Sequence, residues 1–192
     1  MSRIAKHLLP DSAATNALGH LEIGGCDLVA LAAKYGTPTF VYDENHLRAR
    51  CQEAVRAFGK HRVVYATKAF LCGAMARLAH EEGLLLDVAT GGELFVALNA
   101  GVPGSACVMH GNNKSTEELE MALDAGVQHI VVDNFDELDR LDAIFSKKCQ
   151  ARANSIENNP RRRGAYPRIC FDGSGRFEVW FQFAQRRRTT RG

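Results

Sequence analysis

The sequence predicts an α/β fold on a parallel sheet, specifically part of a (β/α)₈ barrel, and three observations lead there. Between Thr37 and about Phe145, short β-branched or apolar runs alternate with longer segments of helical periodicity. Four of the runs begin at Val63, Leu84, Ala106 and His129, so they start 21, 22 and 23 residues apart. That repeat accommodates one strand, one helix and two tight loops, as in a barrel or an open doubly wound sheet. No Gly-x-Gly-x-x-Gly or Gly-x-x-x-x-Gly-Lys segment follows any run, which counts against the open nucleotide-binding sheet and favours the barrel.

The strands expected in order are Thr39–Asp43, Val63–Thr67, Leu84–Val88, Ala106–His110 and His129–Asp133. Between the first two, Leu47, Cys51, Ala54, Val55 and Phe58 share one face at helical spacing. Leu119, Ala122 and Leu123 form the apolar face of a later helix, and Ser115 with Glu118 three residues on reads as its capping box. Gly83, Gly101 and Gly126 each close a helical pattern, where a left-handed C-terminal cap favours glycine.

Beyond Lys147 the repeat is lost. Residues 154–159 are polar, Arg161–Arg163 and Arg186–Arg188 are charge runs, and only Pro167–Phe171 and Phe177–Phe183 have strand character. Residues 1–150 hold 14 Lys plus Arg against 19 Asp plus Glu, a net −5, whereas residues 151–192 hold 10 Arg, no Lys and 3 acids, a net +7. This tail is expected to pair weakly at a sheet edge or to stay poorly ordered. A nucleic-acid-binding arm is disfavoured, since no folded recognition module accompanies the arginines. The change to arginine without lysine, together with loss of the repeat, suggests a frame change in the coding sequence after about residue 147.

Composition narrows the function classes. At 46% hydrophobic over 192 residues the chain can bury a core. No apolar run of 18 residues exists to span a bilayer, and Met1–Leu9 lacks the features of a secretory signal, so a soluble cytoplasmic protein is expected. The six cysteines stand apart without a Cys-x-x-Cys pair, and the seven histidines are scattered. Free, mostly buried thiols and no metal site are the expectation.

The chemistry-bearing residues collect at strand ends. Lys68 follows the run Val63–Thr67, Asp87 and Thr90 end the next, and His110, Asn112, Asn113 and Lys114 end the third. In a barrel the C-terminal strand ends converge on one mouth, where helix N-termini also point. Each residue also has a plainer reading. A lone lysine at a strand end is usually a solvated charge. Asp87 could be an N-cap or a rim salt bridge, His110 a satisfied rim histidine, and Asn112 and Asn113 loop formers. Gly91 and Gly92 suit a tight turn into a helix whose first turn holds Glu93.

The segment Tyr65-Ala66-Thr67-Lys68-Ala69 resembles the Tyr-Ala-x-Lys-Ala motif of the alanine racemase-like, fold-type III pyridoxal-phosphate enzymes. Asp87-Val88-Ala89-Thr90-Gly91-Gly92-Glu93 resembles their Asp-x-x-Ser-Gly-Gly-Glu segment, with Thr90 in place of the more usual serine. His110-Gly111-Asn112-Asn113-Lys114-Ser115 resembles the variant typical of the diaminopimelate decarboxylases, and Gly36–Asp43 looks like the strand that precedes their barrel.

The resemblance implies pyridoxal 5′-phosphate as cofactor, held covalently by Lys68 as the catalytic lysine, with Asp87, Thr90 and His110 as further cofactor-binding residues. It implies decarboxylation of meso-2,6-diaminopimelate to L-lysine, an amino-acid substrate and a homodimer, with neither nucleic acid nor membrane as partner. It also implies a division into residues 1–37 as a segment of a second, β domain, 38–147 as partial barrel and 148–192 as unmatched tail. The match covers about residues 18–145 and four of the eight strands, whereas a full barrel takes roughly 250 residues. The chain is therefore expected to be a truncated form with little activity of its own. Another fold-type III decarboxylase, an alanine racemase, a non-catalytic pyridoxal-phosphate carrier and an inactive fragment are the alternatives. The segment from Leu18 to Tyr42 counts against the carrier.

Overall fold

The computed structural model describes residues 4–157 and 178–181. The chain divides into two compact units, residues 1–63 and 64–192.

In the first unit, β1 (Ala14–Thr15), β2 (Leu21–Ile23) and β3 (Cys26–Asp27) form a small antiparallel sheet. Helix α1 (Leu28–Tyr35) starts at Asp27, whose carboxylate accepts from the amides of Val29 and Ala30. Helix α2 (Glu44–Phe58) starts at Asp43 and buries Cys51 on the face expected from its periodicity. Thr39–Asp43, expected as the first strand, is not one. A strand needs a neighbour to take its backbone hydrogen bonds, and no described strand pairs with it. Phe40 is 89% exposed there, so the apolar run does not face a core.

The second unit is a five-stranded parallel sheet in sequential order. Its strands are β4 (Val64–Ala66), β5 (Leu85–Val88), β6 (Cys107–His110), β7 (His129–Val132) and β8 (Glu178–Phe181). Helices α3 (Gly73–Glu81), α4 (Gly91–Asn99), α5 (Thr116–Ala125) and α6 (Phe135–Glu157) connect or follow them. Register is continuous across the sheet, with Ala66 opposite Asp87, Val88 opposite Met109 and His110 opposite Val131. All four sequence-derived strands from residue 63 onward are present, each within a residue or two of its expected bounds.

The core lies between this sheet and its helices. Leu86, Val88, Cys107, Met109, Ile130 and Val132 contribute from the strands, and Ala76, Leu94, Ala97, Leu119, Ala122 and Ile144 from the helices. Burial pushes the Cys107 thiol up to about 11, so it packs as a small hydrophobe. Cys26, Cys51, Cys72 and Cys107 form no disulfide, but Cys26 and Cys72 are exposed, so of these four the expected burial holds only for Cys51 and Cys107.

The helix ends follow their local sequence. Ser115 and Glu118 make the expected capping box, and Gly126 ends α5 in the left-handed region with φ 65° and ψ 46°. Helix α6 continues to Glu157, past the point at Lys147 where the repeat is lost. Within the tail, Glu178–Phe181 lies inside the expected run Phe177–Phe183 and pairs in parallel with β7 at the sheet edge. The expected strand Pro167–Phe171 lies outside the described residues. No helix among the described residues is long and apolar enough to cross a membrane.

Candidate cofactor site at the strand ends

Because all strands of the second unit run the same way, their C-terminal ends lie along one edge of it. A cleft of about 420 Å³ opens there, lined by Lys68, Asp87, Ala89, His110, Gly111, Asn112 and Asp133. Three of the four residues expected at the site, Lys68, Asp87 and His110, are thus brought together, and Asn112 joins them.

Lys68 sits in a single 3₁₀ turn, Thr67–Ala69, directly after β4. The turn is held from both sides. Buried Thr67 donates its hydroxyl to the Asp87 carbonyl at 2.7 Å, and the Tyr65 hydroxyl donates to the Phe70 carbonyl at 2.7 Å. The backbone under Lys68 is therefore fixed to the end of β5, while its own side chain is exposed and bonds to none of the described residues.

Asp87 ends β5 with its side chain 20% exposed, and its Oδ1 lies 3.5 Å from His110 Nδ1. At that separation the two make an ion pair only when His110 is protonated, and Oδ1 has no hydrogen-bond partner among the described residues. Asp87 thus faces the cleft beside His110. A buried carboxylate oxygen without a donor, beside an uncommitted lysine amine, fits a ligand that brings both a proton donor and an electrophilic carbonyl.

Thr90 behaves differently. It does not line the cleft but caps α4, its hydroxyl accepting from the Glu93 amide at 3.2 Å, while Glu93 reaches back to accept from the Ala89 amide at 2.5 Å. Gly91 and Gly92 are already helical and do not supply a turn. A Cβ on Gly91 would lie 3.1 Å from Glu118 Cγ, and the Gly91 amide donates to Glu118 Oε1 at 2.7 Å. Close approach of α4 and α5 is what a glycine allows there. Glu118 thereby takes the first amide of α4, and Glu93 ties that start back to Ala89, so two carboxylates stand at this terminus.

Asp133 was not singled out from the sequence, although it follows β7 as Lys68 follows β4 and so carried the same positional signal. Lys114, within a recognised motif, is buried rather than available at the mouth. A loop sequence alone did not distinguish those two placements.

The sequence model of the family described as "Pyridoxal-dependent decarboxylase, pyridoxal binding domain" matches residues 44–156. The diaminopimelate decarboxylase of Mycobacterium bovis is 51% identical over 142 residues, covering 73% of this chain and 32% of that protein. That of Bacillus methanolicus is 54% identical over 137 residues, covering 69% of this chain and 32% of its own length. Among solved structures, a diaminopimelate decarboxylase from M. jannaschi superposes with a TM-score of 0.67 at 32% identity, over 72% of this chain and 33% of that one. The chain spans about a third of the length of the curated relatives it matches.

Proposed function

This chain belongs to the pyridoxal-dependent decarboxylases through their pyridoxal-binding domain, and on that premise we propose that it carries the lysine-bearing part of a diaminopimelate decarboxylase site. The observation that supports this most is the uncommitted Lys68 amine in a cleft shared with Asp87 and His110. The substrate would be meso-2,6-diaminopimelate and the product L-lysine, as the His110–Ser115 segment and the curated relatives favour. A homodimer and a cytoplasmic location belong to the same reading.

Lys68 would hold the aldehyde of pyridoxal phosphate, for which a primary amine on a backbone fixed by Thr67 is suited. The cofactor, when bound, supplies a conjugated ring that accepts the electron pair left by a departing carboxylate. Asp87 and His110, 3.5 Å apart at Oδ1 and Nδ1, would orient it. Thr90, which the motif suggests as a further cofactor residue, would act by fixing the start of α4 and the Ala89 backbone that lines the cleft.

Borohydride reduction of the chain with pyridoxal phosphate, followed by peptide mapping, tests the assignment. The label is expected on the peptide containing Lys68 and is lost in Lys68→Ala. Lys114 should stay unlabelled, because its amine is buried and committed to other groups. Labelling chiefly at Lys60 or Lys114 would refute the reading.

A further inference from the structure

Lys114 and Glu137 are both 0% exposed, and Lys114 Nζ lies 2.8 Å from Glu137 Oε1. The same ammonium donates to the Gly111 carbonyl and, at 2.8 Å, to the Val131 carbonyl. Arg140 Nη1 in turn donates to the carbonyl of Lys114 at 2.5 Å. One buried cation therefore ties its own loop to the end of β7 and to the first turn of α6. Glu137 is held at its backbone as well, its amide donating to Asn134 Oδ1 at 2.8 Å.

Stability does not account for this pair. Removing two charges from water costs several kcal/mol per ion, on the order of what their attraction returns, and apolar replacements of similar volume are often neutral or better. Here the geometry is also imperfect, because neither Glu137 oxygen has an aligned hydrogen bond among the described residues. What the pair does achieve is local: it anchors the loop whose residues His110, Gly111 and Asn112 line the cleft, opposite the strand end that delivers Asp133.

We propose that Lys114 and Glu137 form a positioning pair that holds the His110–Asn112 stretch in place against the cofactor. This rests on reading the cleft as the pyridoxal-phosphate site. Neither residue touches the cleft; both act through the loop backbone.

The test uses the full chain and the double variant Lys114→Met/Glu137→Leu, which keeps volume and removes both charges. It is expected to stay folded, at a somewhat lower melting temperature, because the Gly111 and Val131 carbonyls lose a donor. Backbone order parameters of residues 111–113, measured without cofactor, should fall from the rigid range near about 0.85 to below about 0.6. The dissociation constant for pyridoxal phosphate, followed by absorbance, should rise about tenfold. Retained order together with affinity within twofold would overturn the proposal. If the double variant does not fold, Glu137→Gln decides instead: it should move both readouts in the same direction, and no change in either would overturn the proposal. If the unaltered chain takes up no cofactor, the functional reading fails, while the order parameters still decide the role of the pair.

Discussion

A Cβ on Gly111 would stand 2.6 Å from the carbonyl oxygen of Ala89. Both residues line the cleft, so two strand-end loops meet there with no room for a methyl group. The obstacle is backbone, which cannot swing aside as a side chain can. Gly111→Ala should therefore destabilise the second unit by ~1–3 kcal/mol as an overpacking substitution. Because relief requires moving His110 away from Asp87, it should also weaken pyridoxal-phosphate uptake. Denaturant melts and cofactor titration check the two effects, and unchanged values in both would show that the contact is relieved without moving the loop.

Thr90 separates capping from ligand contact. Thr90→Ser keeps the oxygen that receives the Glu93 amide and should leave stability and cofactor uptake close to those of the unaltered chain. Thr90→Ala should cost ~0.5–2 kcal/mol through loss of the cap. A large loss of cofactor affinity in Thr90→Ser, without loss of stability, would mean that the threonine methyl group contacts the ligand.

Glu118 joins two helix starts, its Oε2 receiving the Ser115 amide at 2.9 Å and its Oε1 the Gly91 amide at 2.7 Å. Glu118→Ala should cost ~2–4 kcal/mol, more than a single cap, because hydrogen bonds to a charged acceptor contribute ~1.5–3 kcal/mol each and are not fully additive. Thermal melts of this variant beside Ser115→Ala would show the difference.

Asp27 gives the first unit an acid limit. The side-chain hydrogen bond from His20 at 2.8 Å, with help from Asn16 and the amides of Ala30 and Val29, lowers its carboxyl from 3.8 to about 2. A carboxyl depressed on folding stabilises the fold above its unfolded value and loses that contribution as pH falls through its folded value. The α1 cap should thus hold at pH 4 and be lost progressively between about pH 3.8 and 2. Carboxyl carbon shifts across that range, with Asp27→Asn as the control that removes the step, measure it.

Assayed alone, the 192-residue chain should release lysine from meso-diaminopimelate no faster than Lys68→Ala does. Among the described residues lining the cleft, Lys68 is the one lysine and there is no arginine, and Lys68 is committed to the cofactor in the proposed reading. Little remains to hold a phosphate and a distal carboxylate, and such positioning supplies much of an enzyme's acceleration. Turnover within tenfold of a full-length homologue would overturn this expectation.

The parts that were legible in the sequence are those governed by neighbours along the chain. Strand positions from Val63 onward, the Ser115–Glu118 box and the Gly126 cap each depend on a few consecutive residues, and each is present. Thr39–Asp43 misled because an apolar, β-branched run states a preference for extended backbone but does not provide the neighbour that makes it a strand.

At the site, the strand–helix repeat is enough to put Lys68, Asp87 and His110 at strand ends on one edge, whatever the details of packing. What each of them touches there depends on residues far along the chain. The contacts that separate them span 23 to 27 residues: Asp87 with His110, Lys114 with Glu137, and Gly91 with Glu118. Such pairs form across neighbouring β–α units, where register and the distance between loops set which side chain is buried and which is left free. A motif read along one strand carries no record of that distance.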